Sequence, residues 1–369
     1  MIYRLENGNE CASLTLCAGD AVLFRSGSVT RGWIDTVPGV TYGAWGDGDS
    51  PVISGTDDVS SASDWEEVGD CVWKCVKTIR ADVGNLIFNG GDCSASLRWC
   101  RSDLCRDGDF FDESFGRGFG DRGADSLYLF CDGNPAKKYS RIETVPFGHR
   151  KLAHVRDGAT FEGLTFYGGL HGIQGVGGDL TVRECRFKAI GGNVWNFDRR
   201  IRFGNGVEIW DRGDDVTVEN CEFKDIYDSC VTYQGSGKCL PARRFVCRGN
   251  RFDTYGMAAF EYRDRMPIDS VFENNLCENA GCGFAMLGEE LPRQSEIWPE
   301  PMGHHLFFWR MPEPTPDGSL LVKDNVFGDA PNGAAVYSII CRAAEEQITF
   351  TGNHYVGKTL TNKFGGELA

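Results

Sequence analysis

VTVENCEFKDIYDSCVTYQG, residues 216–235, reads as two short alternating segments joined by a turn, and the chain repeats the pattern. ATFEGLTFYGG (159–169), LTVRECRFKAIGG (180–192), RFVCRGNRFDTYG (244–256), SVFENNLCENAG (270–281), LLVKDNVFGDAPNG (320–333) and ITFTGNHYVG (348–357) alternate and then turn in the same way. Self-similarity of a few tens of residues is the mark of a solenoid, in which each repeat buries its apolar face on the next. Superposed, the segments place Leu164, Cys185, Cys221, Asn250, Asn275, Asn325 and Asn353 in one column. Phe166, Phe187, Phe223, Phe252, Cys277, Phe327 and Tyr355 fall two residues later. The steps are 21, 36, 29, 25, 50 and 28 residues, so the short ones suit a single coil and the long ones a coil carrying an insertion. Four successive asparagines predict an internal amide ladder at a bend.

A second strand follows each bend, in HGIQGV (171–176), NGVEIW (205–210), CVTYQG (230–235), AAFEYR (258–263), CGFAML (282–287) and AAVYSI (334–339). Its inward column, Ile173, Val207, Val231, Phe260, Phe284 and Val336, is apolar throughout. Strand side chains alternate between faces, so Gln174, Glu208, Thr232, Glu261, Ala285 and Tyr337 are expected to face solvent. Trp210, Gln234 and Arg263 should share that face, and the polar character fades at Ala285 and Leu287. The expectation is one all-β domain over residues 1–369, a parallel β-solenoid with regular coils in 159–356 and with N-terminal coils and an insertion in 1–158. Loop insertions are expected near 92–141 and near 288–318, the second Pro-rich and placed to act as a lid.

Composition narrows the partners. Forty-eight glycines without a collagen period agree with many turns between short strands. A net charge of −15 opposes a nucleic-acid partner and mildly disfavours a polyanionic glycan, unless a local basic cleft overrides it. No basic segment followed by an apolar run of signal length opens the chain, and no stretch reaches membrane-spanning length, so a cytoplasmic protein without a membrane partner is expected. Sixteen cysteines without a C-x-x-C pair point to reduced thiols, several of them buried in the ladder and aromatic columns. GRGFGD lacks the Lys-Ser/Thr of a phosphate loop and reads as a plain loop.

GDAVLFRSG (19–27), YGAWGDGDSPVISG (42–55), LTFYGGLHGI (164–173), GNGVEIW (204–210), IYDSCVTYQG (226–235) and FEYR (260–263) resemble right-handed parallel β-helix proteins of the pectin-lyase-like superfamily. They are similar in particular to bacterial β-helix repeat proteins associated with polysaccharide breakdown. The resemblance implies the right-handed fold and a carbohydrate substrate. Its members include glycoside hydrolases, polysaccharide lyases and uronate epimerases, so it does not choose the reaction.

The outward columns carry the chemistry. Coils stack at roughly 4.8 Å, which sets Glu208 and Glu261 about 9.6 Å apart across Thr232, near the spacing of about 6.5–9.5 Å that inverting glycosidases use. Asp228 opens the intervening strand and would give the closer spacing of a retaining pair with Glu208 or with Glu261. One carboxyl must hold a proton for the leaving oxygen while another activates water or attacks. His171, with Gln174 beside it and Asn205 one coil on, is a candidate for a sugar hydroxyl or a base. Arg202 and Arg263 either clamp a substrate carboxylate or neutralise Glu208 and Glu261. Trp195, Trp210, Trp298 and Trp309 are candidate sugar-stacking surfaces, Gln234 a polar contact, and His304 and His305 groups brought over the strip by the lid.

Three readings follow. A glycoside hydrolase would use Glu208, Asp228 and Glu261. A lyase or epimerase would use a base among His171, Arg202, Arg263 and Tyr233. A non-catalytic carbohydrate-binding solenoid would hold its carboxylates in separate salt bridges. No cofactor is required by the sequence; a calcium ion is compatible with the fold, but no dense aspartate cluster on the strip demands it.

Overall fold

The computed structural model describes residues 1–79, 81–91, 95–115, 127–146, 151–235, 240–282, 303–311, 313–330, 334–338, 342–357 and 361–363. Three parallel sheets run the length of the chain, one of ten strands and two of nine; among the described residues nine coils contribute one strand to each sheet, and Ile2–Leu5 adds the tenth strand to the first. This is the right-handed parallel β-helix expected from the repeats. One continuous apolar core fills it, from Leu5 and Val22 at one end to Val336 and Ile348 at the other. The helical segments Pro135–Lys138 and Arg342–Glu345 are single turns, and no helix among the described residues is long and apolar enough to cross a membrane.

The repeat columns are real registers. Phe166 pairs with Phe187, Phe187 with Phe223, and Phe223 with Phe252, their rings stacked at 5.0, 4.6 and 5.0 Å between centroids. Stacked pairs of this kind contribute about 0.5–1.5 kcal/mol each beyond the area they bury. The asparagine ladder is present as well. Asn250, Asn275 and Asn325 donate their backbone N–H groups to the side-chain oxygens of Asn275, Asn325 and Asn353 at 2.9–3.0 Å. Their Nδ2 groups donate to the carbonyls of Val218, Cys247 and Phe272. Each amide therefore satisfies backbone groups that the bend takes out of the sheets.

A second column explains the bend. The residue before each ladder position, Gly163, Glu184, Asn220, Gly249, Asn274, Asp324 or Gly352, has φ between 52° and 66°. That left-handed region turns the chain sharply, and Gly and Asn enter it at least cost. The described cysteines are free thiols, with Cys185, Cys221 and Cys277 buried in the columns predicted for them.

Two insertions differ from expectation. The first begins at Asp57 rather than near 92. It runs to Pro146 as a five-stranded sheet and a three-stranded antiparallel sheet around an apolar core of its own, including Trp65, Leu86, Phe88, Phe110 and Leu129. The range expected for the second, 288–318, is not all loop. His304–Trp309, inside that range, is a strand of the third sheet paired with Ala258–Arg263. Leu306, Phe307 and Trp309 thus take the positions assigned to Phe284, Ala285 and Leu287, which lie outside the described residues, as does Trp298. CGFAML and HHLFFW alternate equally well, and nothing local decides which of them enters the sheet.

Candidate active site

The third sheet positions the site. Its strands His171–Val176, Val207–Trp210, Ser229–Gln234, Ala258–Arg263 and His304–Trp309 pair in sequence. Three outward columns follow: His171, Asn205, Ser229, Ala258, His304; then Gln174, Glu208, Thr232, Glu261, Phe307; then Val176, Trp210, Gln234, Arg263, Trp309. Glu208 and Glu261 are two coils apart across Thr232, as the alignment requires.

The columns do not face open solvent. Glu208 is 2 % exposed and Glu261 0 %. The cover comes from a hairpin between the second and third sheets, Asn193–Asn196 with Ile201–Phe203, and from the bulky third column. Arg202 anchors the hairpin. Its Nε donates to Gly192 O at 2.6 Å, its Nη2 to Gly84 O of the first insertion at 2.8 Å, and its guanidinium lies 4.5 Å from the Tyr227 ring centre. Asn193 adds a bond to Val145 O, and Val194 enters the insertion core. Arg202 therefore fastens the cavity wall, and it also lines the cavity.

Between hairpin and sheet lies a cavity of about 420 Å³. That is the size of a small-ligand site. Trp195, Phe203, Trp210 and Trp309 supply apolar walls, and His171, Gln174, Arg202, Asn205, Glu208, Asp228, Gln234 and Arg263 the polar ones.

Glu208 has the densest set of donors. Trp210 Nε1 donates at 2.7 Å, Gln174 Nε2 at 3.1 Å, and Gln234 Nε2 also donates. His171 Nδ1 stands 2.6 Å from its Oε2. Burial pushes the Glu208 carboxyl up, but the charge and hydrogen bond of His171, with the amides of Asn205 and Gln174, outweigh it and hold the pKa at about 2. The carboxyl is the acceptor of the short contact whenever Nδ1 carries a proton. The backbone N–H of Asn205 donates to the same Nδ1 at 3.1 Å. Asn205 Oδ1 accepts from Ser229 N–H at 2.9 Å, which fixes the amide between coils.

Glu261 is held differently. Arg263 donates to Oε1 through Nε at 2.9 Å and Nη2 at 2.7 Å, while Ser229 and Thr232 hydroxyls donate to Oε2, each at 3.1 Å. Arg263 lies 4.3 Å over the Trp309 ring and closes the column. Glu261 is absent from the cavity lining. It is a buried, salt-bridged carboxylate.

Asp228 also lines the cavity. Its N–H donates to Gly204 O, so it stands opposite Gly204, four residues before the Thr232 that faces Glu208. Four strand residues span up to about 13 Å, and adjacency of coils alone does not give the close spacing of a retaining pair.

Two further residues point elsewhere. His305 faces inward at the corner, bonded to Tyr255 OH and to Gly328 O, and burial pushes its pKa down to about 4. Tyr233 is also buried, its hydroxyl bonded to Leu240 O. His304 shares the outward column of His171 and stacks on Phe307. Sequence reasoning missed the hairpin as a wall. Its one signal was the 36-residue step between Cys185 and Cys221.

No family model and no curated protein matches this sequence. Solved structures do match it. The complex of XylC with xylose aligns at a TM-score of 0.54 and 12% identity over 98% of this chain and 64% of that one. A GH136 lacto-N-biosidase from Eubacterium ramulus aligns at 0.47 and 11%, over 98% and 63%. An alginate lyase from Paenibacillus aligns at 0.47 and 10%, over 99% and 98%. At these identities the likeness is one of fold, and the chain spans under two thirds of the length of the first two.

Proposed function

We propose that the chain is a carbohydrate-active enzyme, a glycoside hydrolase that cleaves an oligo- or polysaccharide in the hairpin-covered cavity. The observation that carries this reading is the ionised, cavity-facing Glu208 with Asp228 on the same cavity, beneath the indoles of Trp195, Trp210 and Trp309. A carboxyl held near about 2 cannot donate a proton at neutral pH, so Glu208 takes the part of base or nucleophile and Asp228 that of the proton donor. The neutral amides of Gln174, Asn205 and Gln234 orient Glu208 and meet sugar hydroxyls. Flat indoles suit the C–H faces of a pyranose.

A specific contact favours a second reading. The imidazole of His171, held against Glu208, is suited to abstract the proton beside a uronate carboxylate, which would make the chain a lyase.

Products separate the readings. On a panel of neutral and uronate-containing glycans, the hydrolase yields new reducing ends without an ultraviolet-absorbing unsaturated uronate, and the lyase yields that chromophore. Asp228→Asn is expected to lower turnover by roughly 10²–10⁴-fold. Full turnover in that variant would remove Asp228 from the reaction, and absence of either product across the panel would leave a binding protein.

A further inference from the structure

The cavity does not end at Gln174 and Trp210. Both residues also border a second, more open concavity of about 490 Å³, whose other walls include Lys151, His154, Arg156 and Val176. The strand Lys151–Val155 pairs with His171–Val176, with Lys151 opposite His171 and His154 opposite Gln174. His154 therefore stands two coils from Glu208, roughly 9.6 Å along the axis.

Three basic side chains line this groove in a chain whose net charge is −15. The acids nearby are partly committed: Asp35 sits 3.2 Å from His154 Nδ1, and Asp157 is paired with Arg212. Arg156 is exposed and forms no ion pair among the described residues. Val176, 49 % exposed, and Trp210 add an apolar floor next to it. A flat apolar patch beside an uncommitted guanidinium matches a sugar ring that carries an anion, since the guanidinium fork pairs with a carboxylate or sulfate in two hydrogen bonds.

We propose that this groove is a further subsite, continuous with the cavity, that takes an anionic sugar unit of the substrate. The anion is a uronate carboxylate or a sulfate ester, and Arg156 is the residue that recognises it. This rests on the reading of the cavity as a carbohydrate site and adds the substrate's charge to it.

The test is binding of the full chain to an array of neutral, uronate-bearing and sulfated oligosaccharides, at low and at high salt. Acidic members are expected to be retained, and to be released by salt. Retention of uronates alone, of sulfated sugars alone, or of both identifies the anion. Retention of neutral members only, or of none, overturns the proposal. Arg156→Gln is expected to weaken the retained acidic glycans by about tenfold, with partial recovery in Arg156→Lys. Unchanged affinity in Arg156→Gln would also overturn it. Acidic glycans bound through Arg156 but never cleaved would sink the proposed reaction and leave the subsite standing. Cleavage of neutral glycans with acidic ones ignored would do the reverse.

Discussion

Glu208 and Glu261 occupy one column of one sheet, two coils apart, and both are buried, yet their surroundings differ. Around Glu261 every donor belongs to the fold: a forked arginine and two hydroxyls saturate both oxygens, and the column is closed by Trp309. Around Glu208 the donors are amides, an indole and an imidazole, and the carboxyl borders a cavity. Position in a repeat therefore does not assign function. What assigns it is whether the counter-charge is locked in place and whether a void remains for a ligand.

The sharpest way to break this contrast is to neutralise each carboxyl in turn. Glu208→Gln keeps the shape and removes the charge, and turnover on the cleaved glycan is expected to fall at least 10³-fold while the fold persists by circular dichroism. Comparable turnover in Glu208→Gln would erase the distinction. Glu261→Gln should do the opposite. It leaves the largely covered Arg263 guanidinium without its partner, at a cost of about 2–4 kcal/mol in urea unfolding, with turnover of the folded enzyme within about threefold. A catalytic collapse there, with stability unchanged, would promote Glu261 to the site.

Acid titration sharpens the same pair. The Glu208 carboxyl is lowered from 4.5 to about 2 in the folded state, so the stability it contributes is fully present above about pH 4.5 and is lost as pH falls toward 2. Unfolding free energies of wild type and Glu208→Gln should therefore converge by a few kcal/mol over that window, and a constant gap would show that the ionised form is not favoured by folding. The smallest effect is expected at the hairpin. Trp195 is 48 % exposed, so Trp195→Ala should raise KM by about fivefold, equivalent to about 1 kcal/mol, with kcat and Tm unchanged. A changed Tm with unchanged KM would make the indole a packing residue.

Much of this was legible in the sequence because solenoid registers are local. Phe166 to Phe252, the asparagines from Asn250 to Asn353, and the Gln174–Glu208–Thr232–Glu261 column could all be aligned from alternation alone. Burial of that column could not, because its cover is non-local: a hairpin from one coil, held by Arg202 to an insertion that begins more than a hundred residues earlier. The same distance hides the fate of Arg202, whose partners are carbonyls with no signature in sequence. Choice between CGFAML and HHLFFW depended on which segment the sheet accepts, and two equal patterns leave that to packing. The pairing of Glu261 with Arg263 was weighed from the sequence as one of two options, and geometry selected it.

The outward column from Asp35 through His154, Gln174, Glu208, Thr232 and Glu261 to Phe307 has a consequence for how substrates can be read. Backbone pairing fixes its spacing at roughly 4.8 Å, whatever side chain occupies each place. It is a graduated scale, one mark per coil, and exchanging a residue rewrites a single mark without moving its neighbours. His154, Gln174 and Glu208 are the marks that border the groove and the cavity, and the distance from each of the others to Glu208 stays constant.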